Sequence, residues 1–179
     1  DGHKLTHLGG IVMSIKVGDN RKPLFLYLLI FIAISIINTL LARFGVLEYP
    51  KLILYFPVAF MIAFTLWFGG WGVIAAYIGC YIGAGMLAGM PHSVNLYWSL
   101  ADVWQVLIPL IAFKELKADV SLTTRRDLVV FLIFGWMLNN VIGAAWGATT
   151  LAVGGLASWS MVPRILVGWL IGNLILTIL

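Results

Sequence analysis

Long apolar runs alternate with short polar or glycine-rich connectors along most of the chain. A transmembrane helix needs about 20 mostly apolar residues to cross roughly 30 Å of hydrocarbon, and six runs approach or exceed that length. The runs cover residues 24–42, 52–68, 71–88, 96–113, 128–153 and 162–179. They lack the ten-residue alternation of a membrane β-barrel. The pattern therefore predicts an all-α, polytopic membrane bundle of six transmembrane helices.

The amino-acid composition excludes the main soluble classes. Of the 179 residues, 62% are hydrophobic and 10% are charged, whereas about 25% of a soluble domain is charged. So few charges cannot cover a water-facing surface, which excludes a soluble enzyme and a disordered chain. Cys80 is the single cysteine of the sequence, so a disulfide framework and a cysteine-based zinc site are excluded as well.

Basic residues are unevenly distributed over the connectors, and this predicts the orientation of the chain. Cytoplasmic connectors of multi-pass proteins are enriched in lysine and arginine. Eight basic residues fall on the side that holds the N-terminus, namely Lys4, Lys16, Arg21, Lys22, Lys114, Lys117, Arg125 and Arg126. Three fall on the other side, namely Arg43, Lys51 and Arg164. We expect both termini to be cytoplasmic. Residues 1–22 are a tail, part of which could derive from an expression vector, and residues 23–179 form a single transmembrane domain.

Charged and amide side chains inside the spans are the first candidates for a binding site, because such residues are costly in hydrocarbon and usually face the bundle interior. Asp102 and Gln105 are three residues apart in the fourth span, so they share one helix face. Arg164 begins the sixth span at the same predicted depth as Asp102. These two could form a structural ion pair or the charged part of a ligand site, and the sequence leaves both open.

Asparagines and a tryptophan extend this predicted site. Asn139 and Asn140 lie midway along the fifth span, where amides serve as interhelical hydrogen bonds or as ligand contacts. Trp104, next to Gln105, either packs in the core or lines a pocket for an amphipathic or cationic ligand. The predicted ligand-binding residues are Asp102, Trp104, Gln105 and Arg164 in the outer half of the bundle, with Asn139 and Asn140 below them.

Small residues in the third span predict where the helices approach most closely. Glycine, alanine and cysteine recur there at four-residue spacing, at Gly72, Ala76, Cys80 and Ala84, with Gly79 and Gly83 on an adjacent line. Such spacing lets helix backbones come close together in a membrane. We therefore expect the third span to be central and packed on two sides.

Sequence motifs of common catalytic sites are absent from the chain. It contains no HExxH, GxSxG, P-loop or GxGxxG motif. His92 is the only histidine outside the N-terminal tail, and Asp102 is the only acidic residue clearly inside a span. We therefore expect no enzymatic activity, no cofactor and no bound metal. The net charge of +4 is read as a topology signal, and we expect no nucleic-acid partner.

The second and third spans resemble a known family of sensors. Residues 55–89 read YFPVAFMIAFTLWFGGWGVIAAYIGCYIGAGMLAG. This stretch resembles the aromatic-proline-alanine segment, glycine turn and small-residue helix of prokaryotic membrane-associated sensor (MASE-type) domains. The segments SLADVWQVLIPLIAF, RRDLVVFLIFGWMLNNVIGAAWGATTLAVGG and SWSMVPRILVGWLIGNLILTIL follow its later helices. Pro-Val-Ala at 57–59 replaces the usual Pro-Ala-Gly, and Asn173 stands where the family usually has an acidic residue.

That resemblance implies an integral membrane sensory domain whose signal passes to a C-terminal cytoplasmic kinase or cyclic-dinucleotide enzyme. The sixth span ends within hydrocarbon, so we expect the natural chain to continue beyond Leu179. Two alternatives remain open: the substrate-binding component of an energy-coupling factor transporter, and a small structural subunit of a larger membrane complex. The expected partners are the lipid bilayer, an unidentified small ligand, and further copies in a homodimer or larger assembly.

Overall fold

The computed structural model describes residues 24–49 and 52–178, and the predicted tail at 1–22 lies outside them. Its described part is all-α apart from one small hairpin. The α-helices are α1 Leu24–Phe44, α2 Pro57–Phe68, α3 Gly70–Gly79, α4 His92–Trp98, α5 Leu100–Glu115, α6 Arg125–Val130, α7 Asn139–Val153 and α8 Val162–Ile178. The strands are β1 Val46–Tyr49 and β2 Leu52–Tyr55. Wider π-helical turns occur at Cys80–Gly85 and Phe131–Leu138, and 3₁₀ turns at Met86–Ala88 and Trp159–Met161.

Five helical segments are long and apolar enough to cross a membrane, which makes this a multi-pass membrane protein. They are Phe25–Phe44, Gly70–Ala88, His92–Glu115, Arg125–Val153 and Trp159–Ile178. The first segment lies within α1, and each of the others combines consecutive helical elements. These five segments match five of the six predicted spans to within a few residues.

The second predicted span, 52–68, is not a continuous helix. Residues 52–55 form β2, which pairs antiparallel with β1 so that Val46 lies opposite Tyr55. The helix begins only at Pro57, whose fixed φ suits a first helical turn and whose missing N–H needs no partner there. The 12 residues of α2 extend about 18 Å, roughly half of a bilayer. The apolar run alone could not distinguish a strand from a helix.

The third span has the central place predicted for it. The helix α3 packs against α1, α2 and α5. A Cβ atom added at Gly79 would lie 2.6 Å from the Cβ of Asn38 on α1, closer than real side chains approach. A Cβ at Gly72 would meet the backbone of Thr65 on α2. The glycines therefore permit close backbone contact on two sides.

The basic connector between α5 and α6 is organised by its acidic side chains. Thr124 caps α6 and accepts a hydrogen bond from the Asp127 amide at 3.2 Å. Asp119 accepts hydrogen bonds from the amide and hydroxyl of Ser121, both at 2.8 Å. These bonds, the amide first, lower the pKa of Asp119 below its ordinary value. These bonds fix the turn at Ser121 and the start of α6.

Candidate functional site

A cavity of about 320 Å³ lies where α1, the hairpin and the third span meet α4, α5, α7 and α8. Its lining is mainly apolar and aromatic, with one acidic and one basic residue. The lining residues are Ala42, Arg43, Val46, Tyr55, Gly83, Ala84, Ala88, Trp98, Asp102, Leu151, Ile165 and Trp169. Ligand pockets in proteins typically measure about 300–1,000 Å³ and combine such walls with a few polar groups. The cavity is therefore large enough for a small organic molecule.

Asp102 supplies the one acidic group of this cavity, and it lies deep in the bundle. It is ten residues from the start of the helical segment His92–Glu115, or about 15 Å along it. Only 1% of its surface is exposed. Its Oδ2 accepts a hydrogen bond from the Tyr55 hydroxyl at 2.9 Å, while its Oδ1 has no hydrogen-bond partner among the described residues. The carboxyl group is thus half satisfied.

The Cys80 thiol lies close to the Asp102 carboxyl and the Tyr55 hydroxyl but makes no hydrogen bond to Oδ1. A thiol is in any case a weak donor, so it adds little to the solvation of the acid. Within the described residues Asp102 also forms no ion pair. A carboxyl group in this position costs free energy unless a further partner arrives.

Irregular backbone surrounds the cavity on two sides. Val46 and Tyr55 belong to the hairpin, and Gly83 and Ala84 belong to the π-helical turn Cys80–Gly85. Non-helical backbone at membrane depth occurs where protein buries it or where it lines a cavity, and π-helical turns are frequent at functional sites. The hairpin and the π-helical turn therefore both line the cavity.

Two tryptophans form an aromatic wall of the cavity. The rings of Trp98 on α4 and Trp169 on α8 lie 5.7 Å apart between centroids, with their planes at 54°. Neither indole N–H has a hydrogen-bond partner in the described part of the chain. Gly147 on α7 makes room for this arrangement, since a Cβ atom there would overlap the Trp169 ring.

The mouth of the cavity lies where α1 and the third span end. Arg43 and Ala88, near the C-terminal ends of these helices, are exposed, whereas Gly83 and Asp102 are buried. The Arg43 guanidinium carbon lies 5.5 Å from the ring centroid of Phe44, a residue that is 73% exposed. The basic group is thus held at the entrance and the acidic group at the floor.

The predicted pairing of Asp102 with Arg164 is wrong. Arg164 is exposed at the start of α8, and the partner of Asp102 is Tyr55. The pairing was inferred from equal depth along two helices, but depth does not set the direction in which each side chain points. Tyr55 reaches Asp102 because the hairpin enters the bundle, which an interpretation of 52–68 as a helix could not show.

Trp104 lies outside the cavity lining. Its ring packs edge-on against Trp146 of α7, with centroids 5.7 Å apart. Trp104 is half-buried and Trp146 is exposed, so the two rings pack α5 against α7 near the surface of the bundle. The predicted convergence of Trp104 with Asp102 and Arg164 is therefore not found.

Gln105, Asn139 and Asn140 form a separate hydrogen-bonded cluster. Gln105 Nε2 donates to Asn140 Oδ1 at 2.9 Å, and Asn139 Nδ2 donates to the Gln105 carbonyl at 3.1 Å. Asn140 Nδ2 donates to the Trp136 carbonyl at 2.6 Å and to Thr177 Oγ1 at 3.2 Å. These bonds join α5, α7 and α8, which is the interhelical role that amides often have in membranes.

Of the twelve lining residues, the sequence analysis predicted only Asp102. The missed residues include all three aromatic ones, Tyr55, Trp98 and Trp169. Trp98 resembled an interfacial tryptophan because it lies near a helix end, and Tyr55 was placed inside a helical span. One signal pointed to Tyr55: it stands two residues before Pro57, and proline favours the beginning of a helix.

The donor set restricts the chemistry that this site can perform. No group of three or more histidine, cysteine, aspartate or glutamate side chains that could hold a metal ion occurs in the described ranges. The cavity instead combines one buried carboxyl group with aromatic and aliphatic walls, which suits binding of an organic molecule.

Comparisons with protein-family models, with curated proteins and with solved structures returned no match.

Proposed function

We propose that this chain is an integral membrane ligand-binding domain of the sensory type. It holds a small molecule in the cavity above Asp102 and passes the occupied state to a cytoplasmic effector, a kinase or a cyclic-dinucleotide enzyme. The observation that carries the proposal is the buried, half-satisfied carboxyl group at the floor of an apolar cavity of about 320 Å³. The carboxyl oxygen that lacks a partner costs stability at that depth, which favours a site that a ligand completes over a purely structural bundle.

The orientation we propose places both termini in the cytoplasm and the cavity mouth outside the cell. The eight-to-three distribution of basic residues supports it through the positive-inside rule. Six crossings then result if the hairpin and α2 together make one of them. The 18 Å of α2 cover the inner half, and the hairpin, whose Tyr55 reaches the mid-bundle residue Asp102, covers the outer half.

The helix α8 is the element that can carry the signal inward. Its outer half lines the cavity through Ile165 and Trp169. Its inner half accepts a hydrogen bond at the Leu174 carbonyl from Trp136 Nε1 at 2.7 Å. A ligand that binds one position of α8 more tightly than another shifts the population toward that position. Occupancy at the outer end thereby becomes movement at the inner end.

A transporter component would use the same cavity, but the surface of α1 favours the sensor. Components of energy-coupling factor transporters are expected to dock their partner through paired alanines on the first helix. The exposed face of α1 instead carries the bulky residues Ile32, Ile36 and Leu40. These side chains suit contact with lipid tails.

The proposal is tested by filling the cavity. Ala84→Phe adds a ring inside it, and Ala33→Phe makes the same change on the exposed face of α1. Purified proteins in nanodiscs are screened against small metabolites by thermal unfolding. A ligand at 100 times its Kd stabilises the folded state by about 2.7 kcal/mol. We expect compounds that stabilise the parent protein and Ala33→Phe but not Ala84→Phe. If every stabilising compound acts equally on Ala84→Phe, the cavity is not the ligand site.

A further inference from the structure

We infer that the cavity binds a protonated organic amine with an apolar body of about one ring, whose ammonium group pairs with Asp102. This inference rests on the proposed function and specifies the chemistry of its ligand. Three features of the cavity carry it: the free side of the carboxyl group, the aromatic walls, and the separation of the one basic group from the floor.

The free oxygen of Asp102 defines the polar end of the ligand. Its Oδ2 accepts a hydrogen bond from the Tyr55 hydroxyl. Its Oδ1 is buried and has no partner among the described residues, so it is the oxygen left for a ligand that binds beside Asp102. A carboxylate accepts hydrogen bonds, and the strongest bonds it forms are those with charged N–H donors. An ammonium group also neutralises the charge of the acid where the surroundings are apolar.

The aromatic walls favour the same kind of group. Tyr55, Trp98 and Trp169 all line the cavity beside Asp102. The faces of aromatic rings attract cations, most strongly for tryptophan, and the attraction grows when the cation leaves water. A cation at the floor therefore gains from the carboxylate and from the neighbouring rings together.

An anionic ligand is disfavoured by the position of Arg43. Arg43 is the one basic residue among those that line the cavity, and its guanidinium lies over Phe44 at the exposed mouth. An anion that reached the floor would meet Asp102 without a compensating cation. A hard inorganic cation is disfavoured as well, because it requires about six or more oxygen ligands, and the lining offers a single carboxyl group.

The apolar part of the wall and the cavity volume define the rest of the ligand. Aliphatic side chains make up most of the remaining lining, at Ala42, Val46, Ala84, Leu151 and Ile165. The volume of about 320 Å³ is at the lower end for ligand pockets. A single ring joined by a short chain to the amine fits within this space and places the ammonium at the floor.

Phenethylamine and its isosteres test this inference. Binding to the full chain in nanodiscs is measured by tryptophan fluorescence for phenethylamine, for the neutral 2-phenylethanol, and for the anionic phenylacetate. We expect phenethylamine to bind at least about tenfold more tightly than either isostere, because a hydrogen bond between charged groups is worth a factor of that size or more. Asp102→Asn, which still accepts the Tyr55 hydrogen bond, should lose this preference. Glu115→Gln, which removes an exposed acid, should keep it.

A second variant protects the test against misfolding. Trp98→Leu leaves the carboxyl group in place and removes one aromatic face, so phenethylamine should bind several-fold more weakly while 2-phenylethanol changes less. Equal binding of the three compounds, or a preference that survives Asp102→Asn, would overturn the amine inference and leave a ligand-binding cavity intact. Absence of phenethylamine binding to the folded parent protein would also overturn it, whereas the proposed function fails only with the Ala84→Phe screen.

Discussion

The hydrogen bond between Tyr55 and Asp102 makes a quantitative prediction about stability. Tyr55→Phe removes the hydroxyl and leaves both oxygens of the carboxyl group without a partner, since Oδ1 has none already. Removing one partner of a buried polar pair costs about 1–3 kcal/mol. Both side chains are at least nine-tenths buried, so solvent cannot replace the lost bond. We expect Tyr55→Phe to destabilise the protein by about 1–3 kcal/mol.

A double-mutant cycle separates this bond from the packing of the ring. Asp102→Leu replaces the acid by an apolar side chain, and in that background the Tyr55 hydroxyl has lost its acceptor. Tyr55→Phe should then be neutral or slightly stabilising, because in that background it removes a buried hydroxyl that has no acceptor. The interaction energy of the cycle should be about 1–3 kcal/mol.

The assay is reversible unfolding in detergent or nanodiscs followed by tryptophan fluorescence. Tyr27→Phe, on the exposed face of α1, is the matched control for loss of a tyrosine hydroxyl and should be within about 0.5 kcal/mol of the parent. An interaction energy below about 0.5 kcal/mol would show that Tyr55 and Asp102 are not coupled. The hydrogen bond between them at the floor of the cavity would then be refuted.

Two further predictions concern packing and orientation. Gly79→Leu should destabilise the bundle by about 1–3 kcal/mol or prevent folding, because a Cβ there would lie 2.6 Å from the Cβ of Asn38. Gly168→Leu is the control and should be tolerated, because open space surrounds Gly168. Equal thermal stability of the two variants would contradict the close approach of α3 to α1. Cysteines at Ser121→Cys and Ser158→Cys should react with a membrane-impermeant reagent from opposite sides, with 121 cytoplasmic. Labelling of both from one side would refute the proposed orientation.

The short helix α2 affects how the cavity is built. Because α2 begins only at Pro57, the chain before it is not helical and enters the bundle as a hairpin that presents Tyr55 to Asp102. Transporters use interrupted helices at mid-membrane in a related way, to expose polar backbone to a ligand. Here the interruption supplies a side-chain donor and part of the cavity wall.

The amino-acid sequence by itself determined the membrane class, five of the spans and the central place of the third span. These properties depend on local features: the length of apolar runs, which must match the bilayer, and the spacing of small residues, which is fixed by the helical period. The sequence also identified Asp102 as an unusual acid inside a span, because burial of charge is costly whatever its partner.

Only the tertiary structure decided which side chains meet. Asp102 and Gln105 share a helix face, yet Asp102 contacts Tyr55 of the hairpin while Gln105 contacts Asn140 of α7, because neighbouring positions on one helix face different partners. Arg164 has a depth similar to that expected for Asp102 but an exposed position. Hydrophobicity predicts that a segment enters the membrane, but it does not predict which neighbouring helix each side chain faces. The cavity is lined by elements that are far apart in the sequence. It therefore depends on how the helices face one another and on the position of the hairpin.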